Sequence, residues 1–168
     1  AERHTLDAAE LSRIAQPVPL SDGTCAVLTG INRPRRWPEL SADRVTTCLD
    51  IARGWAETIV IDVAASLEDN EVMSDIEGPR RNGATIAALR AADHIVAVAT
   101  ADAVGIARFI RAYEELRSIV GSTPIHVVVN RVRSASLGLD AKGQIRRTLA
   151  RFSSIDEVVF LPYEPHIA

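Results

Sequence analysis

The sequence predicts an α/β fold, a mostly parallel sheet in a three-layer arrangement with helices on both faces. Two observations carry this. Apolar, β-favouring runs alternate with stretches of helical periodicity, and right-handed crossovers are the economical way to bury both kinds of element. The runs themselves are unbroken rather than alternating, the pattern of strands covered on both faces. The clearest is Thr58-Ile59-Val60-Ile61-Asp62, which delivers one carboxylate at its end.

At 168 residues the chain is expected to form one domain, 1–168, large enough for a real core. It is 47% hydrophobic and 24% charged, with a formal net charge of −3. That balance leaves no strong nucleic-acid signal over the whole domain. No apolar run approaches the roughly 18 residues of a membrane span, so no transmembrane segment is expected. The first residues do not form a signal peptide, and a chain that does not begin with Met reads as a processed protein or a fragment. Cys25 and Cys48 read as two buried thiols rather than a disulfide or a metal site, which fits a cytoplasmic location.

In chain order, residues 5–15 predict a short helix with Thr5 as N-cap, ended by Gln16-Pro17-Val18-Pro19. Residues 24–29 read as a strand closed by Gly30. Arg33, Arg35 and Arg36 beside Trp37 read as a solvated loop. Ser41 caps a helix to about residue 56, with Val45, Cys48, Leu49, Ala52 and Trp55 on one face. The strand 58–62 follows. The polar stretch 67–82, with Glu68, Asp69, Glu71, Asp75 and Glu77, lacks the ligand alternation and central Gly of a calcium loop and reads as a switch-like loop.

Residues 85–92 predict a helix, and 95–99 a strand that His94 precedes in a structural role. Asp102 caps a strong helix striped by Ile106, Phe109, Ile110, Tyr113, Leu116 and Val120. A strand over 125–129 ends at Asn130-Arg131. Asp140 opens a helix whose Ile145, Leu149 and Phe152 are expected to face inward, and the strand 158–161 is stopped by Pro162.

Ligands of open α/β sheets gather at the carboxyl ends of strands. Three such ends are expected to converge: Asp62, the run Thr100 to Asp102, and Asn130-Arg131. A carboxylate after an apolar strand suits a Mg²⁺ or its water beside a phosphate, while an Asn can meet a purine edge with both donor and acceptor. Arg131 can stack its guanidinium on the same ring, and Leu161, Pro162 and Tyr163 can close the other side with backbone groups. For Asp62 alone, a loop cap is the plainer reading.

With these residues in view, the chain resembles the MinD/ParA-type P-loop ATPases. The likeness rests on Thr58-Ile59-Val60-Ile61-Asp62, on the run from Ala92 to Ala99, on Val127-Val128-Val129-Asn130-Arg131 and on Phe160-Leu161-Pro162-Tyr163, in this order. It is most like the actinobacterial pilus-assembly (CpaE-like) and septum-site branch, in which residues 66–71 and 79–82 also have counterparts. The resemblance implies that Asp62 matches the Walker B aspartate, catalytic and metal-binding, that Asn130 contacts adenine, and that residues 161–163 form the base-side loop.

It also implies ATP and Mg²⁺ as cofactors of the intact parent, a homodimer, and work in positioning pilus, septum or chromosome machinery, cytoplasmic or peripheral to the membrane. Two departures stand against the pattern. Val63-Ala64-Ala65-Ser66 stands where Pro and Gly often follow the aspartate. No Gly-rich loop with Gly-Lys-Ser/Thr exists, because the sole lysine is Lys142 in Ala141-Lys142-Gly143-Gln144.

The chain is therefore expected to be a fragment that lacks the first strand and the P-loop, binds no cofactor itself and hydrolyses no ATP alone. The missing strand would lie between 58–62 and 95–99. Its absence predicts either direct pairing of those two strands or a dimer through the gap. The alternatives are a P-loop-free pseudo-ATPase scaffold and a receiver-like signalling module using Asp62 and Thr100. The latter lacks the early acidic pair, where Thr29-Gly30 stands, and the late lysine, where Asn130 stands.

Overall fold

The computed structural model describes residues 6–31, 33–67, 82–133 and 140–165, which group into two compact units, Ala1–Ala91 and Ala92–Ala168. The acidic residues expected in a switch-like loop, Glu68, Asp69, Glu71, Asp75 and Glu77, lie outside the described residues, as does Thr5.

The first unit begins with α1 (Ala8–Ile14). Asp7 is its N-cap, accepting the Glu10 N–H at 2.8 Å and so satisfying one of the orphan amides of the first turn. The next segment was expected only to stop the helix, yet it forms β1 (Gln16–Leu20), paired antiparallel with β2 (Gly23–Val27). Pro17 and Pro19 are compatible with a ladder here because a two-stranded ribbon is all edge, where a missing N–H costs nothing. The expected strand 24–29 is thus half of a hairpin, and no third strand lies beside it among the described residues. This ribbon also corrects the reading of Cys25 as buried. Cys25 is exposed on β2, whereas Cys48 is half-buried, and both are free thiols.

The arginine-rich loop is a 3-10 helix, Pro34–Glu39, with Arg36 held to Glu39 at 2.5 Å on the exposed surface. Next comes α2 (Ala42–Trp55), capped by Ser41, whose Oγ accepts the Arg44 N–H at 3.4 Å. Trp55 ties α2 to α1 by donating from Nε1 to Ser12 Oγ at 2.8 Å, and Leu11 is fully buried. Small residues let α2 approach α3 (Gly83–Ala91): Ala52 on one helix, Thr85 and Ala88 on the other are buried. Arg53 donates to the Ala91 carbonyl, placing a cation at the negative end of α3.

Residues 58–62 overturn the expectation of a buried strand. They form no ladder, and Val60 is 92% exposed with Ile59 and Ile61 also on the surface. Strand propensity describes fit to a pleated, half-buried surface, and without a partner the same residues stay unpaired.

The second unit carries the parallel sheet. Its strands are β3 (Ile95–Thr100), β4 (Ile125–Val132) and β5 (Val158–Pro162), in the order β3-β4-β5. Two helices connect them, α4 (Ala103–Val120) and α5 (Ala141–Ser153). Ala99 and Val127 are buried with Val129, Ile106, Ile145 and Leu149 in one cluster, and the stripe residues Phe109, Ile110 and Tyr113 pack against it. The opposite pleat is bare: Val96 is 63% and Val98 60% exposed. Helices therefore cover one face of this sheet, and the α/β class holds while the second helical layer is not formed by this unit. Among the described residues β3 pairs only with β4.

Phe152 is a further correction. It is 58% exposed, with the Arg151 guanidinium 5.2 Å from its ring centre. Ser154 turns into the left-handed conformation at φ 52° and ends α5, so that Ile155 rather than Phe152 enters the core, at 5% exposure.

Candidate functional site

The carboxyl ends of the three parallel strands build the site. Thr100 on β3 stands in register with Asn130 on β4, and the Asn130 carbonyl accepts the Ala101 N–H at 2.9 Å. This bond holds the chain as it leaves β3, two residues before α4 begins. Asp102 caps that helix with one oxygen, which accepts the N–H groups of Val104 at 3.0 Å and Gly105 at 2.8 Å. The Gly105 amide first, and the Thr100 hydroxyl second, hold the Asp102 carboxyl below the ordinary carboxylate range. Gly105 is required by close approach: a Cβ there would run into Thr100 Oγ1 and come within 2.8 Å of the Thr100 carbonyl.

On the other side of β4 the ladder is irregular. Val129 pairs with Phe160, but the next pair is Val132 with Pro162, so β4 spends three residues where β5 spends two. The extra residue is accommodated by Arg131 at φ 61°. Bulges of this kind re-aim side chains at the ends of sheets. Asn130 Oδ1 accepts the Arg131 N–H at 2.7 Å and secures the bulge. Beyond it the chains stay joined, because the Tyr163 N–H donates to the Val132 carbonyl at 3.0 Å.

Asn130, Arg131, Leu161, Pro162 and Tyr163 are therefore brought to one end of the sheet. Asn130 and Tyr163 are half-buried, while Arg131, Leu161 and Pro162 are exposed. The sequence expectation sets Arg131 against the ring of a bound base; within the chain itself a different arginine meets an aromatic ring at this end. Arg133 lies over the Tyr163 ring at 3.8 Å, and Arg131 makes no aromatic contact among the described residues. Sequence reasoning missed Arg133 because the bulge changes which arginine of Asn130-Arg131-Val132-Arg133 faces β5. The signal that could have found it is spacing: Arg133 and Tyr163 each stand one residue beyond the paired Val132 and Pro162.

Asp62 belongs to the first unit, is exposed and ends no strand. Among the described residues no three His, Cys, Asp or Glu side chains gather to share a metal. In the first unit, a shallow cleft of about 450 Å³ between α2 and α3 is lined by Thr46, Ile86 and Arg90 with small residues, and holds none of the sequence-selected residues. No protein-family model matches the chain, and no curated protein matches it.

For a bound nucleotide, the residues fit one part and not the other. An amide and a guanidinium-backed tyrosine at the end of a parallel sheet suit the edge and face of a base. The phosphate and Mg²⁺ part does not fit the described residues, because Asp62 is carried on an unpaired segment and no second ligand is gathered around it among them. No chemical step is derived through that metal.

Proposed function

We propose that this chain contributes the base-binding half of a nucleotide-binding fold of the MinD/ParA type, and that the intact protein binds ATP and dimerises to position pilus, septum or chromosome machinery. The observation that carries the reading is the bulge at Asn130 and Arg131, which gathers Asn130, Tyr163 and Arg133 at the carboxyl end of a parallel sheet. In that role Asn130 reads the base edge, Tyr163 and its backbone close the base side, and Arg133 keeps the tyrosine ring in place. The outer edge of β3, unpaired among the described residues, supports the same reading, because a further strand bearing a phosphate-binding loop has a ladder to join there. This chain alone is proposed not to hydrolyse ATP, since no Gly-Lys-Ser/Thr loop stands in its sequence.

The test is binding of a fluorescent ATP analogue with Mg²⁺ to the intact protein, alongside Asn130→Ala and Tyr163→Ala variants. Binding by the parent that weakens at least about tenfold in Asn130→Ala supports the proposal, a loss of the size expected when a paired polar contact is removed. An intact protein that takes up no ATP, or one whose uptake ignores both substitutions, overturns it.

A further inference from the structure

The amino end of the parallel sheet, remote along the strands from the base-binding end, carries a pair of histidines. His94 directly precedes β3, and His126 is the second residue of β4. Ile95 registers with Ile125 and Val96 with His126. His94 and His126 are each in step with Val96 in the pleat, so both project from the bare face of the sheet, diagonally across the strand pair. His94 Nδ1 and His126 Nε2 stand 3.2 Å apart. Their ring centres are 5.4 Å apart and the planes are tilted by 31°, so the rings meet through their nitrogens rather than by stacking. Both side chains are exposed.

We propose that His94 and His126 form a two-histidine site for a borderline divalent transition metal, with Zn²⁺ as the probe. Zinc binds imidazole nitrogen at 2.0–2.1 Å in a tetrahedral arrangement, which places two such nitrogens about 3.3–3.4 Å apart. The observed 3.2 Å lies within the tolerance of about 0.2 Å expected of a usable site. No third His, Cys, Asp or Glu completes a cluster among the described residues, so water fills the remaining positions and the site stays open to solvent. Imidazole ligands favour Zn²⁺, Ni²⁺ and Cu²⁺, while Mg²⁺ prefers oxygen. The bound ion would clamp the start of β3 to β4 and stabilise the second unit, because it binds the folded pair and not the separated residues.

The experiment is calorimetric titration of the untagged chain with Zn²⁺, with Mg²⁺ as control, and the same titration on His94→Ala and His126→Ala. The sequence also holds His4 and His166, so the variants decide where metal goes. One equivalent of Zn²⁺ is expected, with a rise in thermal midpoint, and each substitution is expected to weaken binding at least about tenfold, the least that loss of a metal-site partner costs. Zn²⁺ uptake unchanged in both variants, or no saturable uptake by the parent, overturns the proposal and leaves the 3.2 Å contact as an imidazole hydrogen bond. Should one variant fail to fold, the other carries the test, and His126→Asn keeps a polar group at the same register.

Discussion

Asn130 and Arg131 are locked to each other at the end of β4: the side-chain oxygen of Asn130 accepts the Arg131 N–H at 2.7 Å while Arg131 holds φ at 61°. The pair lets β4 run one residue longer than β5 without breaking the ladder, since Val129 faces Phe160 and Val132 faces Pro162. A left-handed residue with a side chain costs roughly 1–2 kcal/mol, and glycine removes that cost while adding about 0.5–1 kcal/mol of chain entropy to lose. Arg131→Gly is therefore expected to leave stability unchanged or raise it by up to about 1 kcal/mol in urea unfolding. Arg131→Val, β-branched at the same φ, is expected to lower it. A Gly variant less stable than the Val variant would contradict the bulge geometry.

Gly105 allows α4 to start close against the end of β3. Gly105→Ala places a Cβ against Thr100 Oγ1 and 2.8 Å from the Thr100 carbonyl oxygen. Overpacking of this kind costs typically about 1–3 kcal/mol, and that loss is expected in denaturant unfolding. Thr100→Ala together with Gly105→Ala should recover only part of it, because the carbonyl clash remains. Full recovery in the double variant would show that the hydroxyl alone sets the limit.

Asp102 links stability to pH. Its carboxyl is held below the usual range in the folded chain by the Gly105 N–H first and the Thr100 hydroxyl second. A depressed folded value means the contribution is present above the unfolded pKa of about 3.9 and is lost as pH falls through the lower folded value. Asp102→Asn is therefore expected to lower the thermal midpoint at pH 7, with the gap to the parent closing below about pH 4. A gap of the same size at pH 7 and pH 2.5 would remove the carboxylate from this account.

Leu149 and Phe152 sit three residues apart on α5 with opposite fates, the first fully buried and the second 58% exposed. Leu149→Ala is expected to cost about 2–5 kcal/mol through the cavity it leaves. Phe152→Ser, on the surface, should stay within about 0.5 kcal/mol of the parent. Comparable losses at both positions, measured by urea unfolding, would return Phe152 to the core.

Much of the second unit was legible in the sequence. The strand runs before Thr100 and Asn130, the stripe along α4 and the caps at Asp102 and Asp140 are local patterns, and they stand where periodicity placed them. The position of Asn130 and Tyr163 at strand ends followed from the same patterns. Arg133 over Tyr163 did not, because a bulge depends on how two distant strands count residues against each other.

The sequence by itself determined which segments favour helix or extended chain, since spacing, propensity and capping residues act over a few neighbours. Only the tertiary structure decided what each extended segment pairs with. Residues 16–20 and 23–27 found each other as an antiparallel ribbon despite Pro17 and Pro19, whereas residues 58–62, the strongest apolar run before β3, pair with nothing among the described residues and leave Val60 exposed. The physical reason is that a strand's hydrogen bonds are made to another part of the chain, so no property of residues 58–62 alone can supply the ladder that would bury them.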